Sequence, residues 1–141
     1  MTTTPTDIAL DACFPARSEG LRAALQALAG FCAARNLGLG VVSRAKIIVE
    51  ELFTNTIKYG YGGECDRPVR LALSADPGLT LVFEDDAEPF DPTRWESPHA
   101  HVAPGDGPEG KAGIPMVIGL AASVVYVRLA NANRLTIILA S

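Results

Sequence analysis

Hydrophobic positions change their period partway along this chain of 141 residues. From Ile8 to Phe14, apolar and polar positions alternate well enough to predict an edge strand. Leu21, Leu25, Leu28, Phe31 and Cys32 then recur at helical spacing, so a helix is predicted from Ser18, a suitable N-cap, to about Arg35. Asn36-Leu-Gly-Leu-Gly40 stops it. A second helix is predicted over 41–59, with Ala45, Ile48, Val49, Leu52, Thr56 and Ile57 facing inward, and Gly60-Tyr-Gly-Gly63 ends it.

The period then drops to two. Val69–Leu73 and Leu79–Phe83 predict a hairpin around Ala75-Asp-Pro-Gly78. Between Asp85 and Gly113 no regular pattern survives, and half of the chain's ten prolines fall there; a loop of that length in a small domain is usually functional, commonly a lid. Ile114–Leu120 suits a short helix with Pro115 in its first turn. Ser123–Leu129 and Arg134–Leu139 predict a second hairpin. The order strand, helix, helix, hairpin, loop, short helix, hairpin gives an α+β fold: a two-layer sandwich of a mostly antiparallel mixed sheet with helices on one face. Residues 1–7 read as a loose tail and residues 8–141 as one domain, with a lid over about 93–112.

Composition narrows the function classes. A hydrophobic content of 48% with 20% charged residues indicates a globular chain. The net charge of −4 and the lack of a basic stripe argue against nucleic acid or anionic lipid as partner. No stretch approaches the roughly 20 apolar residues of a membrane span, and the N-terminus lacks the pattern of a secretory signal. Cys13, Cys32 and Cys65 are odd in number and lack metal or redox spacing, so reduced thiols and a cytoplasmic location are expected.

Three segments carry candidate chemistry. Glu51 and Asn55 stand four residues apart in the second helix and so share a face; a carboxylate can take a proton and a carboxamide oxygen can ligate Mg2+. Taken alone, such a pair is more often the solvated face of an amphipathic helix. Phe83-Glu-Asp85-Asp-Ala87-Glu-Pro-Phe90-Asp91-Pro92 ends a hydrophobic strand, where a carboxylate can accept from an exocyclic amine; a solvated acidic turn is the alternative. Gly105–Pro115 places glycines ahead of a helix N-terminus, where backbone N–H groups can meet phosphate. Gly105–Lys111 also fits the first part of a Walker A loop, but Ala112 replaces the required Ser/Thr and no strand leads into it. His99 and His101 lack a third metal ligand nearby, and Trp95 reads as a hydrophobic anchor or partner contact.

Together these segments resemble the Bergerat-fold (GHKL) ATPases, and within them the small bacterial anti-sigma-factor serine/threonine kinases. Glu51-x-x-x-Asn55 resembles the N box, Asp85–Pro92 the G1 box, Gly110-Lys-Ala-Gly113-Ile-Pro-Met-Val117 the G2 box, and Asn133-Arg-Leu-Thr136-Ile the last-strand motif. The order and spacing run over roughly residues 8–140. The resemblance implies ATP and Mg2+ as cofactors. It implies Glu51 as general base, Asn55 as Mg2+ ligand, and Asp85 as acceptor of the adenine amine with Thr136 behind it. Ala87 would line the base pocket, Gly110 and Gly113 with the Ile114 helix would hold phosphates, and Tyr59, Phe90 and Lys111 would complete the nucleotide's surroundings.

The implied activity is phosphorylation of a serine or threonine on a STAS-domain anti-anti-sigma protein, with a sigma factor or similar regulator as the other partner and a homodimer as the common assembly. A non-catalytic nucleotide-binding module and a simple ATP hydrolase are the alternative readings. The chain departs from the family pattern at Ala87, where glycine is usual, and at Lys111 and Ala112.

Overall fold

A computed structural model describes residues 10–75, 78–94 and 113–140. In chain order these form β1 (Leu10–Pro15), α1 (Ser18–Ala34), α2 (Leu39–Asn55), β2 (Pro68–Ser74), β3 (Leu79–Asp85), α3 (Gly113–Leu120), β4 (Ser123–Arg128) and β5 (Asn133–Leu139). The strands make one five-stranded sheet in the order β1-β2-β3-β5-β4, with β1 at an edge as its alternation predicts. Every neighbouring pair is antiparallel, so the sheet has no parallel component among the described strands. Most of the expected lid, including Trp95, His99 and His101, lies outside the described residues.

Period-two alternation builds the layer. Val69, Leu71 and Leu73 of β2, Leu79, Leu81 and Phe83 of β3, and Leu135, Ile137 and Leu139 of β5 point to one face and are buried. That face receives Ala24, Leu28, Phe31 and Cys32 of α1 and Ala45, Ile48, Val49, Leu52 and Phe53 of α2. Burial pushes the Cys32 thiol up, as suits an inert core cysteine. Gly20 lets α1 press against the end of β1: a Cβ there would sit 1.9 Å from the Pro15 carbonyl oxygen.

The helix ends differ from the sequence expectation in instructive ways. Ser18 is the first helical residue and not the N-cap, which is Arg17 and makes no side-chain cap bond. Instead the Glu64 carboxylate, 46 residues away, accepts the Ser18 N–H at 2.9 Å, and Arg17 pairs with Asp66 of the same loop at 2.7 Å. A carboxylate at a helix N-terminus also suits the helix dipole. At the other end Asn36 takes φ 54°, with Leu37 N–H donating to Cys32 O and Asn36 N–H to Ala33 O, the paired bonds of a Schellman stop. The second helix ends at Asn55, four residues short of the predicted Tyr59; residues 56–60 form one π turn, closed by Tyr61 N–H donating to Thr56 O at 2.8 Å. Single π turns in proteins concentrate at functional sites.

The opposite face of the sheet carries charge. The register sets Arg70 of β2, Glu84 of β3 and Arg134 of β5 side by side, and Glu84 bonds both arginines. Burial alone would raise the Glu84 carboxyl, but its bonds to Arg134 and Arg70 more than reverse this, and it titrates below its ordinary value of 4.5. The linked stability is therefore present above pH 4.5 and is lost as pH falls through the lowered folded-state value. Between about pH 7 and about pH 3 the parent protein is expected to lose more stability in urea unfolding than Glu84→Gln does; equal losses would show that the row adds nothing pH-dependent.

Candidate functional site

Asp85 is the last residue of β3 and faces the helices, because it follows Leu79, Leu81 and Phe83 at two-residue steps. Its side chain is buried, and three groups from three parts of the chain hold it. The Thr56 hydroxyl donates to Oδ2 at 2.7 Å, the Asn133 amide donates to Oδ1 at 2.9 Å, and the Ala87 N–H donates to Oδ1 at 3.2 Å. Each has a local cause. Thr56 opens the π turn, Asn133 stands directly opposite Asp85 in the β3–β5 register, and Ala87 is two residues beyond in the turn that leaves the strand. No cation touches Asp85 among the described residues. Oδ1 accepts twice and Oδ2 once, which leaves Oδ2 able to accept one further N–H.

Asn133 is the hub of this corner. Its Nδ2 also faces Glu88 O at 2.9 Å and Ala87 O at 3.3 Å, while its Oδ1 accepts the Phe90 N–H, the Tyr126 hydroxyl and Arg128. One side chain thus positions the carboxylate and the whole turn after it. The turn is also held from outside: the Tyr61 hydroxyl accepts the Asp86 N–H and donates to Pro68 O. Burial pushes the Tyr61 phenol up, which preserves the proton it donates.

A cleft of about 750 Å3 opens beside Asp85, a size typical of small-molecule sites. It is lined by Asn55, Tyr59, Asp85, Ala87 and Phe90 among the sequence-predicted residues, together with Thr56, Gly60 and Asn133. Asn55 is 9% exposed, and neither its Oδ1 nor its Nδ2 has a hydrogen-bond partner among the described residues. A buried amide without partners costs stability unless a ligand completes it, and its oxygen suits a hard cation. The solvated-face reading of the Glu51/Asn55 pair therefore fails for Asn55. Glu51 is half-buried one turn earlier and does not line the cleft.

Ala87 is accommodated by a close contact with Gly60. Among non-glycine described residues only Asn36 has positive φ, so residue 87 needs no glycine for its backbone. Gly60 of the π turn stands opposite, and a Cβ placed there would lie 3.0 Å from the Ala87 Cβ. The Ala87 methyl packs against the bare Cα of Gly60, where a side chain would crowd it. The residues present thus fit a flat base with a hydrogen-bond donor at Asp85 and a cation at Asn55.

Thr136 is corrected. It follows Asn133 by three positions on a strand, so it points to the face opposite Asp85, beside Val82 and Val125. The hydroxyl that supports Asp85 belongs to Thr56, and the polar partner from the last strand is Asn133. Thr56 was legible only as a polar interruption in a core stripe. Gly110 and Lys111 lie outside the described residues; Gly113 and Ile114 open α3, which packs against α2.

Asn55→Ala is expected to leave the urea midpoint of the ligand-free protein unchanged or raised, and to remove the Mg2+ dependence of nucleotide affinity. A loss of about 2–5 kcal/mol, as for an ordinary large-to-small core substitution, would show that the amide is satisfied and packed in the free protein.

Compared with curated proteins, the chain has no match. The family model of the histidine kinase-like ATPase domain matches residues 14–139, which takes in the Glu51/Asn55 helix, the Asp85 strand and its turn, and Asn133. An ATPase domain implies ATP binding, and the chain belongs to the histidine kinase-like ATPase domain family.

Proposed function

We propose that the protein is an ATP-dependent protein serine/threonine kinase of the anti-sigma type. The observation that carries this reading is the buried Asn55 amide, without a partner among the described residues, in the same cleft as the braced Asp85, with a carboxylate, Glu51, one helical turn away. When bound, MgATP supplies the transferable phosphoryl group and neutralises its charge. Asp85 Oδ2 would accept the base amine, and Asn55 Oδ1 would hold the metal. The Ala87 methyl and Gly60 meet in the wall of the cleft beside Asp85. Glu51 would take the proton from the attacking hydroxyl.

The acceptor in this reading is a serine or threonine of a STAS-domain partner, and the second partner is a sigma factor or similar regulator. A homodimer is the expected assembly. One observation favours a non-catalytic nucleotide-binding module instead: Glu51, the only group in the proposal needed for transfer alone, is absent from the cleft lining.

Incubation with labelled ATP and Mg2+, with and without a candidate STAS protein, separates the readings. Label on the partner supports the kinase, free phosphate a hydrolase, and neither a binding module. Glu51→Ala is expected to abolish transfer and keep ATP affinity within about twofold; transfer at the parent rate would remove Glu51 as base. Asp85→Asn is expected to weaken adenine nucleotide binding at least about tenfold, because it replaces an acceptor pair with one oxygen and a donor. Unchanged calorimetric affinity would remove that role.

A further inference from the structure

A second concavity lies behind the turn that follows Asp85. It measures about 610 Å3 and shares Arg67 and the wall 86–89 with the main cleft. Two arginines straddle that wall. Arg67, just before β2, donates from NH2 to Asp86 O at 2.8 Å and lies 4.3 Å above the Tyr61 ring. Arg128, the last residue of β4, donates from NH1 to Ala87 O at 2.8 Å and to Asn133 Oδ1 at 3.3 Å.

Each guanidinium engages through one nitrogen. Among the described residues neither meets a carboxylate; the ion pairs are Arg17 with Asp66, Arg70 with Glu84 and Asp86, and Arg134 with Glu84. The Asp86 carboxylate in the groove wall is thus already taken by Arg70, at 2.6 Å. Of the groove's acidic residues, this leaves only the exposed Glu88 to oppose two arginines with spare N–H donors. On a chain of net charge −4, the lining of this groove is formally neutral.

The geometry points to an anion-binding subsite in this groove, in which Arg67 and Arg128 take a carboxylate or phosphate group and thereby stiffen the turn 86–89. The spare edges of a guanidinium are forks suited to either group. Arg128 keeps its whole Nε–NH2 edge unused and Arg67 keeps donors beside the one on Asp86 O, so an anion can be bound with the bonds to Asp86 O and Ala87 O in place. Binding removes rotamer freedom from both side chains and so fixes the two carbonyls they hold. The same turn supplies the Ala87 N–H that braces Asp85. An anion in the groove should therefore tighten binding in the main cleft, and a ligand in the cleft should tighten the anion by the same factor. The coupling rests on the cleft being the nucleotide site; the subsite itself does not.

The test uses the whole chain free of nucleotide. Nitrogen-15 NMR follows the arginine Nε–Hε signals during titration with inorganic phosphate and, separately, succinate, with sodium chloride at matched ionic strength as control. Saturable shifts of Arg67 and Arg128, absent with chloride and reduced in Arg67→Gln and Arg128→Gln, are expected; the anion that saturates first identifies the preferred group. Shifts that rise linearly and equally over all arginines, or that persist in both variants, would overturn the subsite. Because Arg128→Gln also loosens the turn, Arg67→Gln and the titration of the parent carry the test if that variant unfolds. Calorimetric ADP titration with and without succinate then reads the coupling, expected at about fivefold tighter affinity. ADP binding that is unchanged by succinate would overturn the coupling and spare the subsite, whereas no ADP binding at all would count against the nucleotide reading.

Discussion

A carboxyl group buried at the end of a central strand, with no cation beside it among the described residues, has to be satisfied by donors from its surroundings, and around Asp85 those donors come from three separate parts of the chain. Thr56 fixes where α2 ends relative to the sheet, Asn133 fixes β5 against β3, and Ala87 fixes the first bend of the following turn. A hydrogen bond in such a dry setting contributes little net stability when made, but leaves a large penalty when broken. The corner is thus more a specification of geometry than a store of energy. It directs the one remaining lone pair of Oδ2 toward the cleft, and the main-chain turn around it follows.

Asn55 shows the converse. The Asp85 carboxylate is held by three donors, yet the amide of Asn55, next to Thr56 in the chain, is buried without a hydrogen-bond partner among the described residues. The fold is not optimised there for its own stability, and local violations of that kind mark functional positions. The π turn belongs to the same economy of position. By widening the helix at its end it brings Gly60 against Ala87 and carries Tyr61 under Asp86.

Much of this was legible in the amino-acid order because it is local. Alternation in β2, β3 and β5 marks their buried faces, and helical spacing marks the inner sides of α1 and α2. Asn55 and Asp85 stood out because one lies in a helical segment with an apolar stripe and the other ends a hydrophobic strand. What escaped depends on register and distance. The choice between Asn133 and Thr136 turns on which strand residue stands opposite Asp85, and a shift of one position would reverse the face. The α1 cap escaped because the local rule names Ser18, whereas the acceptor is Glu64, brought back by the chain beyond α2. The π turn leaves the hydrophobic spacing of α2 intact and so leaves no trace in it.

The capping of α1 from residue 64 has a consequence for the order in which the molecule can assemble. The first strand has no ladder partner until β2 exists, and the first helix has no acceptor for its opening N–H until the loop before β2 returns to it. The amino-terminal third of the chain is therefore completed by residues made after it. Closing that long segment is an entropic step that precedes any reward from the contacts it forms. As the chain is synthesised, α1 and α2 can pair early as a helical hairpin, but β1 stays unclaimed until the middle of the chain arrives. The loop 61–67 then acts as a clasp: in one motion it finishes the first helix through Glu64, brings Tyr61 and Arg67 to the turn beyond Asp85, and leads into the strand that β1 awaits.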